Sequence, residues 1–346
     1  MDTVWLFILL ASAMVVLFDF TNGFHDASNM VASVIASRAM SPVQSVLVVG
    51  TFTFLGPVLG GTAVANTIGN FVTLDDLPAT LSLTVVLCGL FAATAWNLIT
   101  WWRGLPSSSS HALVGGLCGV VMVSAGPDQV VWGVQELAEG RVTGVTKVLL
   151  ALVLSPLIGF WFGFVLQRVM LVLLRSASPL VNRELRGAQW LTTAGLAFSH
   201  GANDAQKSMG ILTLCLLLGG QLDEFQVPFW VILLCASAIT LGTVLGGWKI
   251  VRTLAFSIYK IRPLHALNSQ LTSAGVVFMA SLVGAPVSTT HVVSSSIMGI
   301  GAAERPRAVR WAKAREIGVT WLVTIPGAGL LAVLCYLLLR LIGLAP

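Results

Sequence analysis

The sequence predicts an all-α polytopic membrane protein, with about ten transmembrane helices in two inverted repeats and broken or re-entrant helices at a midplane site. Three observations predict it. Hydrophobic residues make up 56% of the 346 and charged residues 10%, with a mean hydropathy of +0.90, whereas a soluble domain carries about a quarter charged residues. The apolar runs are long enough for helices to span a bilayer, unlike the short alternating segments of a closed barrel. Finally, a polar phrase inside an apolar run, Asn22-Gly23-Phe24-His25-Asp26-Ala27-Ser28-Asn29, returns as His200-Gly201-Ala202-Asn203-Asp204-Ala205-Gln206-Lys207. A carboxylate in such a place is costly in lipid and is kept for transport or proton transfer. Its duplication points to a transporter with two repeats around one site.

The elements follow in order. Span one, Val4 to Ser37, is too long for one crossing and is expected to break near Asn22-Gly23, where glycine weakens a helix. Spans two to five cover Val43 to Ile68, Leu81 to Trp101, Pro106 through Val123, and Val148 to Leu174. Residues 176–189, basic and containing Pro179, form a cytoplasmic linker between repeat 1 (1–175) and repeat 2 (190–346). Spans six to ten cover Trp190 to Leu218, Val227 to Gly247, Leu264 to Val283, Pro286 to about Gly301, and Ile317 to Leu341. The two proline-led segments read equally as crossings or re-entrant hairpins. The five scattered cysteines fit neither a zinc site nor a disulfide framework and read as packing residues. Trp101, Trp102, Trp190 and Trp311 read as interfacial anchors.

Loop charges orient the chain. With the N-terminus outside, alternate loops collect Arg38, Arg103, Arg175, Lys249, Arg252 and Arg262 inside, and Asp75-Asp76 and Asp223-Glu224 outside. This positive-inside pattern puts both termini outside. The net charge of +5 therefore reports topology, not a nucleic-acid partner. Five spans per half make the second half enter the membrane in the opposite direction from the first.

Three phrases recur in the same order in both halves. Asp26 matches Asp204, an offset of 178 (26 to 204). Pro106-Ser107-Ser108-Ser109-Ser110-His111 matches Pro286-Val287-Ser288-Thr289-Thr290-His291, an offset of 180 (111 to 291). Gly60-Gly61 matches Gly246-Gly247, an offset of 186 (60 to 246). The proline-hydroxyl phrase reads as a helix start within the membrane, since proline suits the first turn and serine or threonine caps it. Such a start is an anion site. Ser107, Ser108, Ser109, Ser110 and His111 would then face Ser288, Thr289, Thr290 and His291 across one small tetrahedral anion. The alternative is that the hydroxyls only glue helices together. Asn22, Asp26 and Asn29 share one side of a helix and offer oxygen ligands to a hard cation, or a carboxylate to a proton. His25 sits beside them. In the second copy, Asn203 and Asp204 are followed by Lys207 where the first has Asn29, so Asp204 can form an ion pair.

These signatures, Gly23-Phe24-His25-Asp26, Ser199-His200-Gly201-Ala202-Asn203-Asp204 and Pro286-Val287-Ser288-Thr289-Thr290-His291, resemble those of the inorganic phosphate transporter family, over nearly the whole chain. The likeness is to its bacterial low-affinity phosphate carriers. It implies import of phosphate, or of a neutral complex of phosphate with a divalent metal, together with protons; some relatives use sodium. It places phosphate at the Ser/Thr-His phrases, puts the coupling ion at Asp26, Asn29, Asn203 and Asp204, and implies a homodimer in the cytoplasmic (inner) membrane. Sodium-coupled relatives carry asparagine in both copies of the Asp-x-x-Asn pattern, so Lys207 points to proton coupling, with Asp26, Asp204 or a histidine as the carrier. No enzyme activity or cofactor is expected, and no metal site is fixed beyond a transported cation at Asp26 or Asp204. A sodium-coupled symporter, a sulfate permease and, from another class, an intramembrane hydrolase using His111, His291 and the aspartates are the alternatives.

Overall fold

Long apolar segments hydrogen-bond their own backbone as helices, the form that leaves no polar group unpaired in lipid. The computed structural model describes residues 3–74, 77–246 and 258–345. Asp75, Asp76, Gly247, Lys249 and Arg252, used above for topology and repeat matching, lie outside the described residues. Within them the first half forms α1 (Thr3–Ala36), α2 (Pro42–Leu59), α3 (Ala63–Gly69), α4 (Ala79–Arg103), α5 (Ser109–Ser124), α6 (Val134–Ala138) and α7 (Gly144–Leu173). The second half forms α8 (Val181–Leu218), α9 (Phe229–Leu245), α10 (Pro263–Leu282), α11 (Thr289–Glu304) and α12 (Trp311–Leu341). By length and composition α1, α2, α4, α7 and α12 can each cross a membrane.

The structure departs from one expectation and refines two. Helix α1 does not break at Asn22-Gly23 but runs unbroken from Thr3 to Ala36. Gly23 serves close approach there: a Cβ on it would stand 2.1 Å from the Ile239 carbonyl oxygen of α9. The segment expected as linker is not all loop: α8 already begins at Val181, and Gln189 is buried, accepting from Ser37 Oγ at 2.6 Å. Trp101 is half-buried, unlike the other three tryptophans read as anchors. Its ring packs on Phe24, centroids 4.9 Å apart, while Trp102, Trp190 and Trp311 are exposed.

The halves interlock. Helix α1 crosses α9 at Gly23 and Gly242, whose added Cβ would meet Phe20 O at 2.0 Å. Helix α8 crosses α2 at Gly201 and Gly56, with Cβ clearances of 2.2 Å to Thr53 O and 2.3 Å to Phe198 O. Gly23 and Gly201 differ by the offset of the aspartate phrase, and Gly56 and Gly242 by that of the glycine phrase. Each half thus lays its phrase helix on the second helix of the other half. In the same way α5 packs on α12, and α11 on α7.

Helices α1 and α8 run antiparallel. Asp19 meets Ser208 near one end and Ser37 meets Gln189 near the other, so the partner's number falls as α1 advances. Ends gather on two sides accordingly. Gly219 abuts Ile8, and Val72 bridges Val130. On the other side Gln189 bonds Pro263, Arg262 pairs with Glu304, and Arg310 bonds Ile258.

Candidate functional site

The site is built where the crossed helices bring the phrases against the starts of α5 and α11. Each start is capped by the serine before it: Ser108 Oγ accepts from the His111 amide at 3.2 Å, and Ser288 Oγ from the His291 amide at 3.3 Å. Pro106 and Pro286 do not occupy the first turn but lie in the extended approach before each cap. The two starts touch. The His111 and His291 rings lie 4.7 Å apart between centroids, His291 stacks on Trp321 at 3.9 Å, and Ser110 donates to Val287 O at 3.2 Å. Two positively polarised helix ends therefore share one interior point. All nine hydroxyl and histidine residues named from the sequence are buried there, as is Val287.

The first phrase reaches the second half's helix start. Thr290 Oγ1 donates to Asp26 Oδ1 at 2.9 Å and accepts from Asn29 Nδ2 at 2.9 Å. His25 Nδ1 faces Asp26 Oδ1 at 2.9 Å, and its Nε2 lies 3.3 Å from Ser107 Oγ, which also bonds Thr100 at 2.8 Å. The second phrase reaches the first half's start. Lys207 Nζ donates to Ser110 Oγ at 2.5 Å and to Val287 O at 2.9 Å, and pairs with Asp204 Oδ1. Lys207 thereby makes to Ser110 the contact that Asn29 makes to Thr290. His200 Nδ1 approaches Asp204 Oδ2 at 3.1 Å and Thr289 Oγ1 at 3.3 Å. Asn203 accepts from the Val287 amide at 3.2 Å and donates to Ser281 at 3.0 Å.

What remains uncommitted defines the available chemistry. Among the described residues, Ser109 Oγ, Asn29 Oδ1, both polar atoms of Asn22 and of Asn97, His111 Nδ1, His200 Nε2 and His291 Nε2 are buried without a hydrogen-bond partner. Hydroxyl and helix-start donors suit a small oxyanion. The carboxylates and the imidazole of Asp26, His200 and Asp204 place ligand atoms within 4.8 Å of one another, a set able to hold one cation. Sequence reading missed His200, which sits one turn before Asp204 and was legible from that spacing. It also missed Thr100, Ser281 and Trp321, which carry no local signature. Asn22, expected beside the coupling ion, makes no side-chain bond within the described residues.

A helical membrane protein that brings two polarised helix starts and two buried carboxylates to one interior point is built as a multi-pass transporter. The chain belongs to the phosphate transporter family, whose model matches residues 22–332. It is 37% identical over 344 residues to a "Probable low-affinity inorganic phosphate transporter" of Bacillus subtilis, covering 99% of this chain and 100% of that one. It is 39% identical over 340 residues to a protein of the same description from Rhizobium meliloti, covering 97% and 98%. The fold matches a solved structure, "The sodium-dependent phosphate transporter", with a TM-score of 0.84 at 23% identity, covering 97% and 99%. The family and these relatives are transporters, so the hydrolase alternative falls away.

Proposed function

We propose that the chain imports inorganic phosphate by proton-coupled symport with alternating access. The observation that carries this is the meeting of the α5 and α11 starts, with a buried carboxylate on each side. Phosphate sits between the first-turn amides and hydroxyls of Ser109, Ser110, Thr289 and Thr290. The two halves act as inverted repeats related by an axis near residues 24–25 and 202–203. Antiparallel α1 and α8 and the exchanged helix crossings support that relation. The Gly23, Gly56, Gly201 and Gly242 crossings form the contact about which one bundle rocks.

Coupling is read from Lys207. Its ammonium supplies, beside Asp204, the unit of charge that a bound sodium ion would supply, so protons drive the cycle. A divalent metal bound to the phosphate can accompany it at Asp26 and His200. The protein works as a homodimer in the cytoplasmic membrane with both termini outside.

The test is uptake of labelled phosphate into proteoliposomes under separate proton and sodium gradients. Uptake driven by an inward proton gradient, competed by arsenate and not by sulfate, supports the reading; uptake that needs sodium and ignores pH ends it. Lys207→Asn, which copies Asn29, is expected to raise sodium dependence.

A further inference from the structure

One buried carboxylate belongs to none of the repeated phrases. Asp19 lies on α1, fully buried, seven residues before Asp26 and outside the residues that the family model matches. At a rise of 1.5 Å per residue it stands about 10 Å along the helix from Asp26. Ser208 Oγ donates to Asp19 Oδ1 at 2.5 Å, and the buried Cys235 of α9 lies near its carboxylate. Asp19 Oδ2 is buried with no partner among the described residues. The charged groups acting on it are Asp204 and Lys207 of α8, which are already paired with each other. Among the described residues Asp19 therefore has no counter-charge of its own, in contrast to Asp204.

The pseudo-symmetry shows that packing does not demand this residue. Under the offset of 178, Asp19 corresponds to Ala197 and Ser208 to Met30. Both counterparts are fully buried. The same helix crossing is thus filled by an apolar pair on one side of the axis and by a carboxylate with a hydroxyl on the other. Asp19, Asn22 and Asp26 follow at spacings of three and four, so they share a face of α1. Asn22, between the two carboxylates, has both polar atoms uncommitted. Ionisable side chains in this setting serve proton relays.

We propose that Asp19 is a proton-loading site of the transport cycle, on the N-terminal side of the axis. Its carboxylate takes one proton from that side, and water molecules along the Asn22 face then pass it, O–H bond by O–H bond, to the Asp26–Asp204 cluster. No bond other than O–H forms or breaks. This rests on the proton-coupled reading above.

The experiment compares wild type, Asp19→Asn and the double variant Asp19→Ala with Ser208→Met, which copies the Ala197–Met30 pair. Each is reconstituted in proteoliposomes. Phosphate exchange at equal pH on both sides moves no net proton and reports a folded, phosphate-binding protein. Accumulation under an inward gradient of one pH unit reports coupling, up to about tenfold per coupled proton. The proposal expects wild type to accumulate phosphate and both variants to exchange it while their accumulation ratio falls to about one. Variants that accumulate like wild type while wild type responds to pH overturn the role of Asp19 alone. A wild type indifferent to the proton gradient overturns the proton-coupled reading and this site with it.

Discussion

The two aspartate phrases occupy matching places and differ in charge. In the first, Asp26 is held by neutral or titratable neighbours, His25 and Thr290, and Asn29 bonds Thr290 through an amide. In the second, Asp204 is held by Lys207, whose ammonium also bonds Ser110 and Val287 O. Histidine and asparagine also trade places: His25 corresponds to Asn203, and Asn22 to His200. Among the described residues, one copy is thus a locked ion pair and the other keeps a carboxylate without a fixed cation. The helix crossings match in the two copies, and a few side chains give them different charge.

Removing the locking charge should have the largest effect. Lys207→Met leaves Asp204 buried beside an apolar chain and should cost about 3–5 kcal/mol, read as a fall in thermal stability in detergent. Adding Asp204→Asn to it should recover most of the loss. Asn29→Met removes one neutral hydrogen bond and should cost about 1–3 kcal/mol. Equal losses for the two single variants would mean that the ion pair holds nothing its counterpart does not.

The helix crossings sharpen the likeness. Gly23→Val and Gly201→Val each drive a side chain into a facing carbonyl and should each cost about 1–3 kcal/mol. A loss at one and none at the other would show that the crossings are not equivalent. The caps are the smallest test: Ser108→Ala and Ser288→Ala should each cost about 1 kcal/mol, measured the same way, and by similar amounts.

Much of this was legible in the sequence. The two helix starts were readable because serine caps a helix, and α5 and α11 begin beside Ser108 and Ser288 as that role requires, with the prolines before the caps and not in the first turn. The phrases were readable because a carboxylate inside an apolar run is rare. Three things were not. The glycine of Asn22-Gly23 was read as a weak point, since local propensity says nothing of the Ile239 carbonyl that crosses there. The exchange, in which Asp26 meets Thr290 and Lys207 meets Ser110, depends on how four helices cross and leaves no trace in spacing. Asp19 escaped because it has no second copy, the very signal that revealed the others.

One phosphate held jointly by both halves would be visible in an experimental structure of the purified protein with phosphate. A single tetrahedral density is expected between the starts of α5 and α11, within hydrogen-bond reach of amides or hydroxyls from both Ser109–Ser110 and Thr289–Thr290. Density held by one helix start alone, or away from both, would contradict it.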